Sequence, residues 1–146
     1  MKKLLPLFLA ALVELASCAK KGEADPLPAP APSRAELLTA NPWQLTAQRE
    51  VITPQSGGAA VTRTSTVAPG TTKVIYRTDG TILLSHPSQQ SNPTTGGSYT
   101  LVDSVLWSNI SGSNGIVREL TANRLVLVDH WQGPNETTHH TDTFTH

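Results

Sequence analysis

The segment at residues 73–85, KVIYRTDGTILLS, contains the strongest indication of the fold. Two runs rich in β-branched, aromatic and aliphatic side chains, residues 73–78 and 81–85, flank the dipeptide Asp79-Gly80. Asp-Gly between such runs is typical of a two-residue hairpin, because both residues readily adopt the positive φ angles of a type I′ turn. The segment therefore predicts two antiparallel strands joined by a tight turn.

Similar short strand patterns recur on both sides of this hairpin. In residues 43–51, Trp43, Leu45, Ala47 and Val51 fall on one face of a strand, since strand side chains alternate with a period of two. The other predicted strands cover residues 61–67, 98–103, 105–110, 116–121, 124–131 and 136–144. The connections are a polar loop at residues 86–97 and tight turns at residues 113–115 and 122–123.

This pattern predicts an all-β protein, a small up-and-down antiparallel β-barrel of eight or nine short strands. The strands occupy about 105 residues, and no helical segment between them is long enough for a parallel crossover. Closing into a barrel removes the unpaired edges of such a sheet, and short hairpins favour the barrel over a Greek-key sandwich. One short helix is expected at residues 34–40, with Ser33 as N-cap and Glu36 three residues later.

The composition excludes several classes of protein. The chain has 146 residues, with 11 basic and 11 acidic side chains and no net charge at pH 7. It therefore lacks the basic surface that nucleic-acid binding requires, and nucleic acid is not expected as a partner. A single cysteine excludes an internal disulfide and a cysteine-rich zinc site.

The N-terminus has the pattern of an export signal. Lys2 and Lys3 precede a mostly aliphatic run at residues 4–13, which is about half the ~20 residues that a transmembrane helix needs. Glu14 follows at the edge of the run, where a charge weakens insertion least. Residues 1–17 are therefore predicted to be a signal peptide.

The signal ends in Leu15-Ala16-Ser17-Cys18, which resembles a bacterial lipobox. This resemblance implies cleavage between Ser17 and Cys18 and lipidation of Cys18, because small residues let a peptidase approach the backbone. An ordinary secreted protein, cut elsewhere, is the alternative. Residues 18–36 then form a lipidated, proline-rich tether in which alternating prolines favour an extended spacer. The barrel domain is assigned to residues 37–146.

Five segments of the folded region resemble lipocalin-like lipoproteins of Bacteroidetes-type bacteria. In chain order they are LLTANPWQLT (37–46), RTDGT (77–81), GSYTL (97–101), IVRELT (116–121) and NRLVL (123–127). The resemblance implies a lipid-anchored barrel in the cell envelope that binds or carries a small apolar molecule. Ala19, the residue after Cys18, does not resemble the inner-membrane retention signal of enterobacteria, which favours the outer membrane. One departure is Asn41, where true lipocalins have a glycine two residues before the first-strand tryptophan.

Aromatic residues of the predicted strands are the candidates for a ligand cavity. Tyr76, Tyr99, Trp107 and Trp131 supply large apolar areas with few rotatable bonds, although packing in the barrel core is an equal use for them. Trp43 is assigned to the core at the closed end of the barrel. Because an eight-stranded barrel holds filling side chains or one small ligand, a packed barrel that works as an envelope adaptor is the alternative.

Catalytic and metal-binding motifs are weak. The sequence has no G-x-S-x-G, P-loop or H-E-x-x-H motif, so we expect neither an enzyme nor a cofactor. On the last predicted strand, His140, Asp142 and His146 share one face, and imidazole and carboxylate groups are ligands for zinc or copper. A solvated polar strand is the alternative interpretation of these three residues.

Overall fold

Nine β-strands and one short helix make up the part of the chain that the computed structural model describes, residues 29–86, 93–109 and 114–146. The predicted signal peptide, the cleavage site, Cys18 and most of the tether lie outside these residues. The elements are α1 (Arg34–Thr39), β1 (Trp43–Pro54), β2 (Val61–Thr66), β3 (Lys73–Tyr76), β4 (Thr81–Ser85), β5 (Thr94–Val102), β6 (Val105–Ser108), β7 (Asn114–Leu120), β8 (Arg124–Gln132) and β9 (Glu136–Thr145).

Eight of the strands close into an antiparallel barrel, as the sequence predicts. Strands β3 to β9 pair in chain order, and β1 joins β9 to β3. The predicted hairpin of β3 and β4 is present, but its loop is longer than the two residues expected, because β3 ends at Tyr76 and the Gly80 amide donates to the carbonyl of Arg77 at 3.0 Å. Gly80 has φ 83°, whereas Asp79 does not have a positive φ and instead accepts a hydrogen bond from the amide of Thr81 at 2.9 Å. Local turn chemistry therefore sets the register of this pair.

The ninth strand, β2, departs from a simple up-and-down order. One side of β1 is shared by two strands: its first two residues pair with β3, and its residues from Ala47 to Ile52 pair with β2. The change of partner occurs at Thr46, whose carbonyl accepts from the amide of Val67 at 2.8 Å. All six residues of β2 are exposed, so this strand is an addition to the barrel rather than part of its wall.

A β-bulge at Thr46 corrects the predicted faces of β1. Leu45 pairs with Phe144 and Ala47 with Thr143, so Thr46 is the extra residue on β1. A bulge of this kind exchanges the two faces of the strand beyond it. Trp43 and Leu45 are buried as expected, but Ala47 is opposite Thr143, whose neighbours Asp142 and Phe144 line the barrel interior. The prediction that Ala47 and Val51 share the face of Trp43 is wrong.

The helix and Trp43 lie at one end of the barrel. Ser33 caps α1 as predicted, since its hydroxyl accepts from the amide of Glu36 at 3.2 Å and its own amide donates to the Glu36 carboxylate at 2.6 Å. Leu38 is fully buried, and its carbonyl accepts a 2.8 Å hydrogen bond from the indole Nε1 of Trp43. This contact fixes the short helix to the start of β1.

Two predicted connections are shorter than expected. The polar loop at residues 86–97 loses its last part to β5, which begins at Thr94. The turn expected at residues 113–115 loses Asn114 and Gly115 to β7. In both cases pairing with a neighbouring strand incorporates residues that the local sequence assigns to a turn, because ladder hydrogen bonds outweigh weak β-propensity.

Candidate functional site

A cavity of about 190 Å³ lies inside the closed barrel. Its apolar wall is contributed by Val74, Tyr76, Ile82, Leu84, Leu106, Leu127 and Phe144, and its polar wall by Ser108, Asp129, His140 and Asp142, with Gly115 between them. Side chains of β3, β4 and β6 supply most of the apolar wall, and those of β8 and β9 supply most of the polar wall. The interior is therefore amphipathic, with carboxylates on one side only.

The polar wall is organised around Asp142. Its Oδ1 accepts a hydrogen bond from Gln48 Nε2 at 3.0 Å and lies 3.0 Å from His140 Nε2. The side chains of Asp142 and His140 are 27% and 33% exposed, so both groups are within reach of solvent in the barrel. Sequence reasoning missed Gln48, because regular alternation from Trp43 places it on the opposite face and only the bulge brings it inward.

Two of the four predicted aromatic residues come together. Tyr76 lines the cavity and is 5% exposed, while Tyr99 packs against it edge to face with 5.1 Å between ring centroids. The Tyr99 hydroxyl donates to the carbonyl of Arg77 at 2.7 Å, which holds its ring beside the cavity rather than in it. Burial, and secondarily the charge of Asp142, raises the pKa of the Tyr76 phenol. Tyr76 is thus a neutral, amphipathic part of the lining.

The two predicted tryptophans do not line this cavity. Trp107 is 51% exposed, because its neighbour Leu106 takes the inward position on β6. Trp131 is 54% exposed near the end of β8, and its six-membered ring covers Gly133 so closely that a Cβ at that glycine would overlap it. We therefore remove both tryptophans from the candidate cavity lining.

The predicted metal ligands are divided between the barrel interior and the end of the barrel where β1 begins. His140 and Asp142 meet in the interior as the strand period predicts, but Phe144 separates them from His146. His146 Nδ1 is 3.0 Å from the carbonyl oxygen of Pro42, and its ring centroid is 4.2 Å from that of Trp43. Within the described ranges, no three His, Cys, Asp or Glu residues come together as a metal site.

No family model, curated protein or solved structure matches the chain. The functional argument therefore rests on the cavity, and the volume of the cavity limits the size of the ligand. Pockets for drug-sized ligands measure ~300–1,000 Å³. An apolar cavity of about 150 Å³ holds benzene. A cavity of about 190 Å³ therefore matches a molecule with one ring.

A second depression lies at the end of the barrel where β1 begins. Its volume is about 620 Å³, and it is lined by Asn41, Pro42, Gln44, Gly70, Lys73, Asn123 and His146. It is wider than the interior cavity but open to solvent, and its lining lacks a group of apolar side chains. Because ligand sites are concave and mostly apolar, the smaller interior cavity is the better candidate.

The outer surface of the barrel carries further histidines and arginines. His139 faces away from its neighbour His140, and it meets His130 across the strand pair with 4.6 Å between ring centroids. Arg124 pairs with Glu119 at 3.5 Å, and Arg118 is exposed. In the described ranges no helix combines the length and hydrophobicity that crossing a membrane requires.

Proposed function

We propose that this protein is a lipid-anchored, lipocalin-like β-barrel of the bacterial cell envelope that binds a small molecule in its interior. The observation that carries this proposal is the cavity, which is lined by residues of six barrel strands and has an apolar and a polar wall. A barrel that served only as a packed scaffold would be more stable with this space filled by side chains, since a void lacks packing contacts.

The size of the cavity narrows the ligand class. Its volume of about 190 Å³ accommodates a ring-sized apolar body, and the surrounding Tyr76, Leu106 and Phe144 are buried side chains that replace the ring's hydration shell. Burial of apolar surface contributes about 25 cal/mol per Å². A long fatty acid or a multi-ring lipid exceeds this space, so the ligand is smaller than those of large lipocalin-type cavities.

Ligand binding is tested by filling the cavity. Leu127 is a half-buried lining residue, so Leu127→Trp places a large ring in the space that the ligand would occupy. The matched control is Val102→Trp, at an exposed position of β5 outside the cavity lining. Isothermal titration of the full-length protein with benzyl alcohol measures both variants.

We expect the wild type and Val102→Trp to bind benzyl alcohol equally, and Leu127→Trp to bind at least tenfold more weakly. Native mass spectrometry of the protein after gentle purification is expected to show a small molecule that is absent from Leu127→Trp. Equal binding by all three proteins would place the molecule elsewhere and contradict the proposal.

The envelope location depends on Cys18. Acylation at this residue would hold the barrel at a membrane, because two or more acyl chains give stable anchoring where one gives marginal binding. Metabolic labelling with a fatty-acid analogue is expected to label the wild type and not Cys18→Ala, and cell fractionation to release the variant from the outer membrane. Labelling that persists in Cys18→Ala would refute lipidation at this site.

A second candidate function is an envelope adaptor with a ligand-free barrel. Two observations favour it: the cavity is smaller than the ~300–1,000 Å³ of drug-sized ligand pockets, and all six residues of β2 are exposed at the end of the sheet order. Exposed edge strands pair readily with strands of other chains. An envelope partner whose binding is lost in Thr64→Pro but kept in Leu127→Trp would favour the adaptor over the ligand carrier.

A further inference from the structure

The two carboxylates in the barrel interior point to the kind of small molecule that it takes. Asp129 on β8 and Asp142 on β9 line the same cavity as Tyr76 and Phe144. These two strands are neighbours in the sheet, and both carboxylates lie on the polar wall of the cavity. They make that wall acidic.

The hydrogen-bond partners of Asp142 hold its carboxylate in place without a fixed positive charge. Gln48 donates a neutral amide hydrogen, and His140 is an imidazole whose charge depends on pH. Among the described residues that line the cavity, none is a lysine or an arginine. The geometry thus orients an acidic group toward the interior and leaves its charge uncompensated by a permanent cation.

Arg63, a permanent cation two strands away from His140 on the ladder, is already engaged. Glu50 pairs with His140 across β1 and β9, and Arg63 pairs with Glu50 across β1 and β2. The Arg63 guanidinium forms a 3.4 Å ion pair with Glu50, and its side chain is 69% exposed. It belongs to the outer strand β2, so its charge is bound at the surface rather than in the cavity.

We infer that the interior selects a small organic cation, an ammonium group attached to a ring-sized apolar body. This inference rests on the proposed ligand-binding function and adds the charge of the ligand to it. The ammonium group donates charge-assisted hydrogen bonds to Asp142 or Asp129, which are about twice as strong as neutral ones. The apolar body contacts Tyr76 and Phe144, whose ring faces also attract a cation within ~6 Å.

The same arrangement rejects anions. A ligand carboxylate would face two aspartates in a confined site where water screens charge poorly, and like charges placed together disfavour binding. A neutral alcohol would satisfy the apolar wall and one hydrogen bond without the ionic contribution. The site therefore ranks three ligands that share a ring: an amine first, an alcohol second and a carboxylate last.

Three probes of nearly equal size test this ranking: benzylamine, benzyl alcohol and benzoate. Their dissociation constants for the full-length protein are measured by isothermal titration at pH 7 and low salt. We expect benzylamine to bind at least tenfold more tightly than benzyl alcohol, and benzoate to bind most weakly. Raising the salt concentration should weaken the binding of benzylamine and leave the binding of benzyl alcohol unchanged.

A matched pair of variants assigns the selectivity to the interior. Asp142→Asn removes one carboxylate from the cavity. It should raise the dissociation constant of benzylamine about tenfold and change that of benzyl alcohol less than twofold. Asp103→Asn removes the same charge from the exposed β5–β6 turn, at a φ of 53° that asparagine also tolerates, and should change neither. The ranking of the three probes by the wild type stands as a test even where Asp142→Asn fails to fold.

The possible failures separate the two proposals. Benzyl alcohol that binds as tightly as benzylamine overturns the inference of a cationic ligand and leaves the ligand-binding function intact. Equal loss of benzylamine binding in Asp103→Asn overturns it as well, because general surface charge would then explain the preference. Absence of binding by all three probes contradicts the proposed function itself.

Discussion

Replacement of Trp43 by phenylalanine tests how the short helix is attached to the barrel. The indole Nε1 of Trp43 donates to the carbonyl of Leu38 at 2.8 Å, and both residues are fully buried. In a longer helix this carbonyl would accept from the amide four residues later. That residue is Pro42, which has no amide hydrogen, so the helix cannot satisfy the carbonyl itself.

The magnitude of the effect follows from these contacts. Trp43→Phe keeps an aromatic ring in the core but removes the indole N–H that donates to the buried carbonyl of Leu38. An unsatisfied buried acceptor costs about 1–3 kcal/mol. The smaller ring adds a packing loss, which is below the ~3–5 kcal/mol of a complete Trp→Ala truncation. We therefore expect the free energy of unfolding to fall by about 2–4 kcal/mol.

Urea denaturation followed by far-UV circular dichroism measures this change. At ~4–8 °C per kcal/mol for domains near 100 residues, the thermal midpoint should fall by about 8–32 °C. Trp107→Phe is the matched control, since Trp107 is 51% exposed and its replacement should stay within about 0.5 kcal/mol. A loss in Trp43→Phe below about 1 kcal/mol, or no larger than in this control, would refute the capping role of the indole.

Three further predictions concern local structure. Gly80→Ala should lower the free energy of unfolding by about 1–2 kcal/mol in urea titrations, because Gly80 has φ 83°. Gly58 does not have a positive φ, so Gly58→Ala is the control and should leave the free energy of unfolding unchanged. Ser33→Ala removes the N-cap of α1 and should cost about 1 kcal/mol by thermal denaturation; an unchanged midpoint would contradict it. The Thr81 amide holds the pKa of the Asp79 carboxyl below its ordinary value of 3.8. The stabilisation is therefore present above the unfolded-state pKa and lost as pH falls through the lowered value. Stability should drop below about pH 4, and Asp79→Asn should flatten that drop in urea titrations between pH 2.5 and 5.

The parts of the fold that sequence reasoning anticipated are those with local causes. Asp79-Gly80 sets a turn that its own backbone preferences favour, and the bounds of β4, Thr81–Ser85, match the prediction for that reason. Ser33 and Glu36 likewise specify the start of α1 through contacts three residues apart. Such features require no knowledge of what packs against them.

The parts that were missed depend on distant partners. The bulge at Thr46 arises where β1 changes from β3 to β2 along one edge and meets β9 along the other, and no local pattern marks that junction. Gln48 was consequently assigned to the wrong face. Trp107 has the large aromatic side chain expected of a cavity residue, and only the structure of β6 shows that its neighbour Leu106 faces inward instead.

The bulge at Thr46 also determines how changes in chain length would act on the interior. β1 carries one residue more than β9 over the same span, so loss of Thr46 would restore regular pairing and leave Gln48 opposite Asp142. β9 has no extra residue of this kind relative to β1, and its pairing with β1 and β8 fixes its register on both sides. Loss of one residue there would exchange His140 and Asp142 for the neighbours that now face outward. Loss of Thr46 would thus keep Gln48 beside Asp142, whereas loss of a residue in β9 would change which side chains line the cavity.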